Sequence, residues 1–413
     1  MSIRLRENRD FRLLWGGEAL SQLGSQASTV AFPLLVLALT GSAAKAGIVG
    51  LAKWLPLALA ALPAGVLADR FDRKRLMIGS DAIRALLLGS VALTVALGSS
   101  SFELVAAVAF LDGCLFAVRY VCERGALAQV VPKDQVPSAV AQNEARTFAA
   151  NIAGPPLGGL LFAAARALPF MADTVSYAAS MASVALTRAQ FQEPRQPRHR
   201  TTSMRGFGEG VAWLWRHAFF RSAALLFALG NPLFTGLYLL AILLAKRHGA
   251  SPGAVGVMFA VVGAGGLLGA LLAGRLRATL SFRAALGGGA WLIAAVIPLL
   301  FAVHVAWLIG LIVAACELPT PLSNSIVSGH RVAVTPDRLR GRVQAAGTFL
   351  SMSLAWLGPL GVGIAFQHAG ANATVAVVSG WALGLAVLTT LMPAFYTGPP
   401  SLGTAQSVAS VTD

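Results

Sequence analysis

Three carboxylates lie inside long apolar segments of the chain, where a charged side chain is costly and is therefore a candidate for function. Glu18 and Asp112 lie in the first and fourth of these segments, and Glu317 lies in the tenth. A carboxylate that water reaches in one conformation of a transporter and not in another can bind a proton in one conformation and release it in the other. These three residues are therefore predicted to couple proton movement, with Arg119 placed about two helical turns from Asp112 to hold an acid ionised.

Polar side chains recur at helical spacing around these acids, on segments that are otherwise apolar. In the first segment the stripe is Glu18, Gln22, Ser25 and Thr29; in the fourth it is Asp112, Phe116, Arg119 and Glu123; in the seventh it is Asn231, Thr235 and Tyr238. Such stripes predict helix faces that meet water or a substrate instead of lipid. For Glu317, and for Lys53 at comparable depth in the second segment, a structural ion pair or a lysine that extends to the membrane surface is an equally weighted alternative.

The chain shows no pattern typical of an enzyme. The glycine-rich stretch Gly263 to Gly269 lies inside an apolar segment and not after a strand, so it does not predict a phosphate-binding loop. No nucleotide-binding motif of the GxxxxGK[ST] type is present. We therefore predict no catalytic residues, no metal site and no cofactor, and transport driven directly by ATP would need a separate subunit.

The elements that position these residues are long apolar helices. Of the 413 residues 56% are hydrophobic and only 12% are charged, against about 25% charged residues in a typical soluble domain. Many apolar runs are about 20 residues long, which is the length that a helix needs to cross a bilayer. The sequence predicts an all-α polytopic membrane protein of twelve transmembrane helices, with single spans at 304–328 and 342–368 among them.

The positive charge is distributed in a way that indicates membrane topology. The formal net charge is +15, but the basic residues do not gather on one helix or one face, so we predict no nucleic-acid partner. They cluster instead in every second connection between apolar runs. This positive-inside asymmetry predicts a multi-pass protein of the bacterial inner membrane with both termini in the cytoplasm.

An internal repeat divides the chain into two halves. At an offset of 204 residues Pro132 falls on Pro336 and Gly154 on Gly358, which indicates a duplicated six-helix unit. The predicted parts are an N-terminal half at 1–187, a cytoplasmic linker with an interfacial helix at 188–218, a C-terminal half at 219–396 and a disordered tail at 397–413. Two pseudo-symmetric six-helix bundles are therefore expected.

The stretch GVLADRFDRKR, from Gly65 to Arg75, resembles the signature loop of the major facilitator superfamily. Its members include Gly65, Asp69, Arg70 and Arg73; Asp72 stands where the superfamily usually has glycine. Asp69 is expected to cap a neighbouring helix, and the arginines are expected to face the anionic headgroups of membrane lipids. Near this loop a gate is predicted from Asp81, Arg84, Glu123 and Arg124. Asp81 and Arg84 lie one helical turn apart, as expected for a gate or a surface ion pair.

A second motif, AGPPLGG, resembles the superfamily's antiporter motif in the fifth helix. Its residues are Gly154, Pro155, Gly158 and Gly159. Further stretches, such as ENRDFRLLW and VTPDRLRGRV, are similar to the branch that holds enterobactin exporters and macrolide efflux proteins. The resemblance implies a monomeric, proton-coupled exporter of a hydrophobic or amphipathic small molecule such as a drug, antibiotic or siderophore, working by alternating access.

Two other functions stay open at this stage. A lipid or lysolipid flippase would use the same fold, whereas a membrane sensor or enzyme would need a soluble portion for which the sequence gives no sign. A broad apolar cavity has no short sequence motif, so the sequence does not identify the substrate. The transport direction, the coupling ion and the oligomeric state are likewise open.

Overall fold

The computed structural model describes Leu5 and residues 7–192, 202–336 and 339–397. Over these residues the chain is helical, as the sequence predicts. The first helices are α1 Arg9–Thr40, α2 Ala43–Arg70, α3 Arg73–Ala96, α4 Phe102–Val130, α5 Val136–Ala164 and α6 Leu168–Leu186. They are followed by α7 Thr202–Arg216, α8 Ala218–Arg247, α9 Pro252–Thr279, α10 Phe282–Val296, α11 Ala306–Glu317, α12 Thr320–Val334, α13 Arg340–Met352, α14 Leu357–Leu391 and α15 Ala394–Thr397. Short 3₁₀ turns occupy Lys133–Gln135 and Ile297–Phe301.

The helices form two compact units. Unit 1 lies within residues 1–198 and 245–260, and unit 2 lies within residues 199–244 and 261–413. The central part of the predicted linker, residues 193–201, and the predicted tail from residue 398 lie outside the described residues. The domain limits derived from the sequence stay a prediction.

Nine segments of the described chain are long and apolar enough to cross a membrane. The last of them, Arg340–Leu391, is 52 residues long, more than twice the roughly 20 residues that one span needs. Gly370 interrupts α14 with a φ of 81°, a backbone conformation that glycine adopts without strain. This break lies where the sequence predicts the connection between the eleventh and twelfth spans.

Two spans that the sequence predicts as continuous helices are broken. The predicted span 304–328 is divided between α11 and α12, because Pro319 at the junction lacks the N–H that a continuous helix needs. The predicted span 342–368 is divided at Ser353 to Trp356, between α13 and α14. Here Pro359 leaves the carbonyl of Ala355 without its usual helical donor.

Helix α7 forms where an interfacial helix is predicted. Leu214 is buried, and Phe207 and Val211 pack against the same apolar cluster of unit 2. Glu209 on its polar side forms an ion pair with Arg342 of α13. The helix is therefore amphipathic and docked on unit 2, while its position at a membrane surface stays a prediction.

Candidate functional site

One face of α4 carries three buried charged residues through the interior of unit 1. Asp112, Arg119 and Glu123 are exposed by only 3%, 2% and 6%. Their spacing of seven and then four residues places them on one helix face, over about 16 Å of helix. Around each of them, side chains from α1, α3, α5 and α6 form a polar layer, and we call the three layers together the polar seam.

The first layer of the polar seam surrounds Asp112. Arg84 of α3 donates from Nε to Asp112 Oδ1 at 2.8 Å, and from Nη2 to the Tyr177 hydroxyl oxygen at 2.6 Å. The Tyr177 hydroxyl lies 2.9 Å from the Ser25 hydroxyl of α1. The Arg84 guanidinium also stacks 4.1 Å from the centre of the Tyr177 ring. Four helices thus meet at a charge-balanced acid and base pair.

The second layer contains two carboxylates and one guanidinium. Arg119 lies 2.7 Å from Glu18 Oε2 of α1, and its Nε donates to Asp81 Oδ1 of α3 at 2.8 Å. Ser180 of α6 accepts from Arg119 Nη2 and donates to Asp81 Oδ2, both at 2.8 Å. We call Glu18, Asp81 and Arg119 the acid–arginine triad. With every group ionised, the triad carries one excess negative charge, and all three side chains are buried.

The third layer is a buried pair between α4 and α5. Arg146 Nη2 donates to Glu123 Oε1 at 2.7 Å, and Arg146 Nη1 donates to the side-chain carbonyl of Asn143 at 3.3 Å. Next to it, Arg124 and Glu144 lie 3.8 Å apart on the exposed side of the same helices. The buried pair is charge-balanced, whereas the exposed pair is screened by solvent and is worth little.

Beyond the Asp112 layer, α1 carries the predicted residue Thr29. Lys53 of α2 donates from Nζ to Thr29 Oγ1 at 2.9 Å and lies 5.3 Å from the centre of the Phe32 ring. Thr29 itself donates to the backbone carbonyl of Ser25. This lysine is therefore held by a hydroxyl and an aromatic face, not by a direct carboxylate contact among the described side chains.

Two further predicted cavity residues adjoin the polar seam. The side chain of Gln22 is half-buried, and its Oε1 is buried without a hydrogen-bond partner among the described residues. Phe116 packs beside the Asp112 layer, with the Arg84 guanidinium 5.6 Å from its ring centre. Both lie between the layers that Arg84 and Arg119 organise.

The prediction of a surface ion pair between Asp81 and Arg84 is wrong, whereas their role in a gate stays a prediction. Both side chains are buried, and they bind different partners on α4: Asp81 pairs with Arg119, and Arg84 pairs with Asp112. A local pair three residues apart contributes only about 0.2–0.5 kcal/mol. Two buried charges without close partners would cost far more, so each residue turns to the neighbouring helix.

The signature loop joins α2 to α3. Asp69 and Gly65 belong to the last turns of α2, and the side chain of Asp69 lies outside the described part of the structure. The N-cap of α3 is Asp72, whose carboxylate accepts from the Arg75 N–H at 2.8 Å, and capping of a neighbouring helix by Asp69 stays a prediction. Asp72 is therefore both the N-cap of α3 and the residue that departs from the superfamily pattern.

The basic residues of the signature loop reach neighbouring helices. Arg73 donates to the Ala68 carbonyl at 3.4 Å, and its guanidinium lies over Gly125 of α4. Arg70 is exposed. The lipid contacts predicted for these arginines stay a prediction.

The antiporter-like motif brings α5 close to α1. A Cβ at Gly154 would lie 3.1 Å from the Leu23 carbonyl oxygen, and one at Gly158 would lie 2.8 Å from the Ala27 Cα. Gly159 faces the backbone of Gly256 in α9 in the same way. Helix α5 continues through Pro155 and Pro156. These glycines therefore set the distance between helices, as the small-xxx-small pattern predicts.

In unit 2 the polar stripe predicted on the seventh segment lies on α8, and its residues have two different roles. Asn231 Nδ2 donates to the Ser351 carbonyl and Thr235 Oγ1 donates to the Ala355 carbonyl, each at 2.7 Å. These carbonyls lie at the break between α13 and α14, where backbone acceptors lose their helical donors. The predicted cavity residues Asn231 and Thr235 therefore bind the broken helix.

The third residue of that stripe meets the third predicted coupling acid. Tyr238 donates its hydroxyl proton to Glu317 Oε1 at 2.7 Å. Glu317 is the last residue of α11 and lies just before the break at Pro319. Among the described side chains no basic group pairs with it, so this carboxylate is held by one hydroxyl.

Three residues of the polar seam were not predicted from the sequence: Arg146, Tyr177 and Ser180. Arg146 gives no periodic signal, since its partner is in another helix. Tyr177 lies at the centre of a stripe of α6 formed by Asp173, Tyr177 and Ser180, at the same spacing as the stripes of α1 and α4. That spacing is the signal that would have found Tyr177 and Ser180.

Comparison with known proteins identifies the family and the fold of the chain. Residues 5–397 match the family described as transmembrane secretion effector. The multidrug efflux pump Tap of Mycobacterium tuberculosis is 28% identical over 380 residues, with 86% of each chain covered. Macrolide efflux protein A of Streptococcus pyogenes is 29% identical over 153 residues, 37% of this chain and 38% of that protein. A bacterial homologue of the human lysosomal transporter Spinster, solved inward-facing and unoccupied, has the same fold, with a TM-score of 0.68, 15% identity and 97% of each chain covered.

Proposed function

Because the chain belongs to the transmembrane secretion effector family of major facilitator transporters, we propose that it exports hydrophobic or amphipathic small molecules in exchange for protons. The names of its relatives, a multidrug efflux pump and a macrolide efflux protein, support a drug-like substrate. The apolar helices and the absence of an enzyme-like motif in the sequence are consistent with transport without chemical change of the substrate.

The acid–arginine triad is the observation that carries the proton-coupling proposal. One guanidinium cannot neutralise two carboxylates, so the buried site gains stability when one proton is added. Asp81 accepts hydrogen bonds from both Arg119 and Ser180, whereas Arg119 is the one polar partner of Glu18 among the described side chains. Glu18 is therefore held by fewer contacts than Asp81, and we place the coupling role on Glu18.

Protonation of Glu18 would also change how the helices of unit 1 are held. In the ionised form Glu18 ties α1 to Arg119 of α4. A neutral Glu18 keeps at most a hydrogen bond, while Arg119 stays paired with Asp81 of α3. Proton binding thus loosens α1 from α3 and α4, and in the proposed cycle this step accompanies the change between inward and outward access.

The test is substrate-induced proton movement in proteoliposomes that contain the purified protein. Glu18→Gln is expected to abolish gradient-driven efflux while substrate binding survives, because the amide mimics the protonated acid. Glu144→Gln is the matched control: its carboxylate is 67% exposed and lies outside the polar seam. If Glu18→Gln, Asp112→Asn and Glu317→Gln each keep wild-type coupling, proton antiport through these residues is wrong.

A further inference from the structure

Asp173 of α6 is a buried acid that the proposed proton-coupling step does not use. The residue is only 1% exposed. The Ser176 hydroxyl donates to the Asp173 backbone carbonyl at 2.7 Å and reaches the carboxylate oxygen Oδ1 only at 3.2 Å. On the side of α1, a Cβ at Gly24 would lie 2.7 Å from Oδ1. No basic side chain among the described residues forms an ion pair with this carboxylate.

The charged groups that face Asp173 are engaged with other partners. They are Lys53 of α2, Arg84 of α3 and Asp112 of α4. Arg84 pairs with Asp112, and the Lys53 ammonium donates to the Thr29 hydroxyl at 2.9 Å. Asp173 is therefore a buried carboxyl group without a close counter-charge, and such a site favours the protonated form.

The buried charges of unit 1 do not balance when every group is ionised. In the part of unit 1 that the structure describes, five carboxylates and three guanidiniums are buried, and the half-buried Lys53 adds a fourth cation. The carboxylates are Glu18, Asp81, Asp112, Glu123 and Asp173, and the guanidiniums are Arg84, Arg119 and Arg146. A buried charge without compensation is costly, so a single proton on one of the carboxylates makes this set neutral.

Only two of the five carboxylates lack an arginine of their own. Glu18 shares Arg119 with Asp81, and the cation left for Asp173 is Lys53, which faces it without an ion pair. The other three carboxylates are paired within their layers: Asp81 with Arg119, Asp112 with Arg84 and Glu123 with Arg146. The neutralising proton therefore has two places, Glu18 and Asp173.

Helix α6 connects these two places. Asp173, Tyr177 and Ser180 lie on one face of α6, over about 10 Å of helix. The Tyr177 hydroxyl meets Ser25 of α1 in the first layer, and the Ser180 hydroxyl meets Arg119 in the second. Hydroxyl groups both donate and accept hydrogen bonds. The face of α6 thus places two hydroxyl groups between Asp173 and the acid–arginine triad.

We propose that Asp173 is a second proton-binding residue of unit 1 and shares one proton with Glu18. In the exchange the proton leaves a carboxyl oxygen of Asp173 and binds a carboxylate oxygen of Glu18, so that acid and carboxylate change places and the charge of unit 1 stays constant. With the proton on Glu18, Lys53 balances Asp173. With the proton on Asp173, Lys53 offsets the excess charge of the triad, and Glu18 ties α1 to Arg119. The proposal rests on the proposed proton coupling and adds the residue that holds the proton while this tie is closed.

The experiment is infrared spectroscopy of the full-length protein in nanodiscs at neutral pH, where exposed carboxylates are ionised and a buried protonated acid gives a separate carbonyl band. All samples carry Glu317→Gln, so that the half-buried acid of unit 2 adds no band. The protein without further changes is expected to show a band equivalent to one proton. Asp173→Asn and Glu18→Gln are each expected to abolish the whole band, because either change makes the buried set neutral without a proton. Glu144→Gln removes an exposed carboxylate and is expected to leave the band unchanged.

Lys53→Met tests the charge count in the opposite direction. With one cation fewer, two protons are needed for neutrality, so the band is expected to increase about twofold. Protein made with aspartate that carries heavy carbon in its carboxyl group separates the aspartic from the glutamic component of the band. Half of the doubled band is expected to be aspartic, and this half is expected to disappear when Asp173→Asn is combined with Lys53→Met.

Four results would overturn the sharing of one proton. They are the lack of a band in the protein without further changes, a glutamic band that survives Asp173→Asn, an aspartic band that survives Glu18→Gln, and an unchanged band in Lys53→Met. The second would leave Glu18 as an independent proton site, and the third would make Asp173 a permanently neutral structural acid. Substrate-induced proton movement in proteoliposomes separates these outcomes from failure of the proposed function. If wild-type protein moves no protons, the transport proposal fails, whereas normal proton movement with any of the four results removes only the sharing.

Discussion

Removing one carboxylate charge is expected to have different effects in two neighbouring layers of the polar seam. In the acid–arginine triad, Glu18→Gln leaves Arg119 paired with Asp81, so that the layer passes from one excess carboxylate to neutrality. In the layer that contains Glu123 and Arg146, Glu123→Gln leaves the Arg146 guanidinium buried without a counter-charge, with only neutral amide oxygens, that of Asn143 among them, as hydrogen-bond acceptors. The two substitutions are chemically identical, and both sites are buried.

The expected losses in the free energy of unfolding follow from the charge balance of each layer. Removing one partner of a buried ion pair costs about 3–5 kcal/mol, because the other charge is left uncompensated. We expect a loss of that size in the free energy of unfolding for Glu123→Gln. For Glu18→Gln the loss is expected to stay within about 1 kcal/mol, the net worth of one hydrogen bond. Replacing both partners, as in Glu123→Gln with Arg146→Met, is expected to recover most of the lost stability.

Thermal and denaturant unfolding in detergent micelles, followed by circular dichroism, would compare the variants with wild type. Glu144→Gln, in the exposed pair with Arg124, is the reference for a substitution without consequence. Equal destabilisation by Glu18→Gln and Glu123→Gln would contradict this expectation. In that case the triad would not contain an excess carboxylate, and the proton-coupling proposal would lose its physical basis.

Other predictions test individual contacts. Gly158→Leu is expected to reduce the yield of folded protein because α1 lies against this position, whereas Gly16→Leu, which has open space around it, is expected to be tolerated in the same expression assay. Asp72→Ala should lower the free energy of unfolding by about 1 kcal/mol through loss of the α3 cap. Asp69→Asn should impair efflux with little loss of folded protein; unchanged efflux would remove the loop from the mechanism. Reporter fusions after Arg200 should be active in the cytoplasm only, and periplasmic activity would contradict the predicted topology.

Hydropathy predicted the helical fold because lipid allows few alternatives: each backbone group in the membrane must be satisfied within its own helix. The interruptions at Pro319 and between α13 and α14 were not predicted, although Pro319 and Pro359 are visible in the sequence. A proline in a membrane helix can be accommodated as a bend or as a break, depending on neighbours that satisfy the freed carbonyls. Here Asn231 and Thr235 do so for the second break.

The sequence identified the acids Glu18, Asp112 and Glu317, but it could not identify their partners. A stripe on one helix indicates which face is polar, while the partner depends on which helix packs against that face. Arg84 therefore looked like a partner of Asp81 and proved to bind Asp112. Tyr238 and Glu317 meet although 79 residues separate them in the chain. Such pairs are fixed by tertiary packing, and the periodicity of a single helix does not show which helix packs against it.

The distribution of charge between the halves bears on why the polar seam exists. At the offset of 204 residues the counterparts of Asp81, Arg119 and Glu123 in the second half are Ala285, Ser323 and Val327. The same helical fold thus forms in unit 2 without these ion pairs. Buried ion pairs are weak evidence for stability, because apolar residues of similar volume often serve as well. In line with the proposed function, we therefore propose that the ion pairs of unit 1 serve the transport cycle, with the excess carboxylate of the triad as the site of proton exchange.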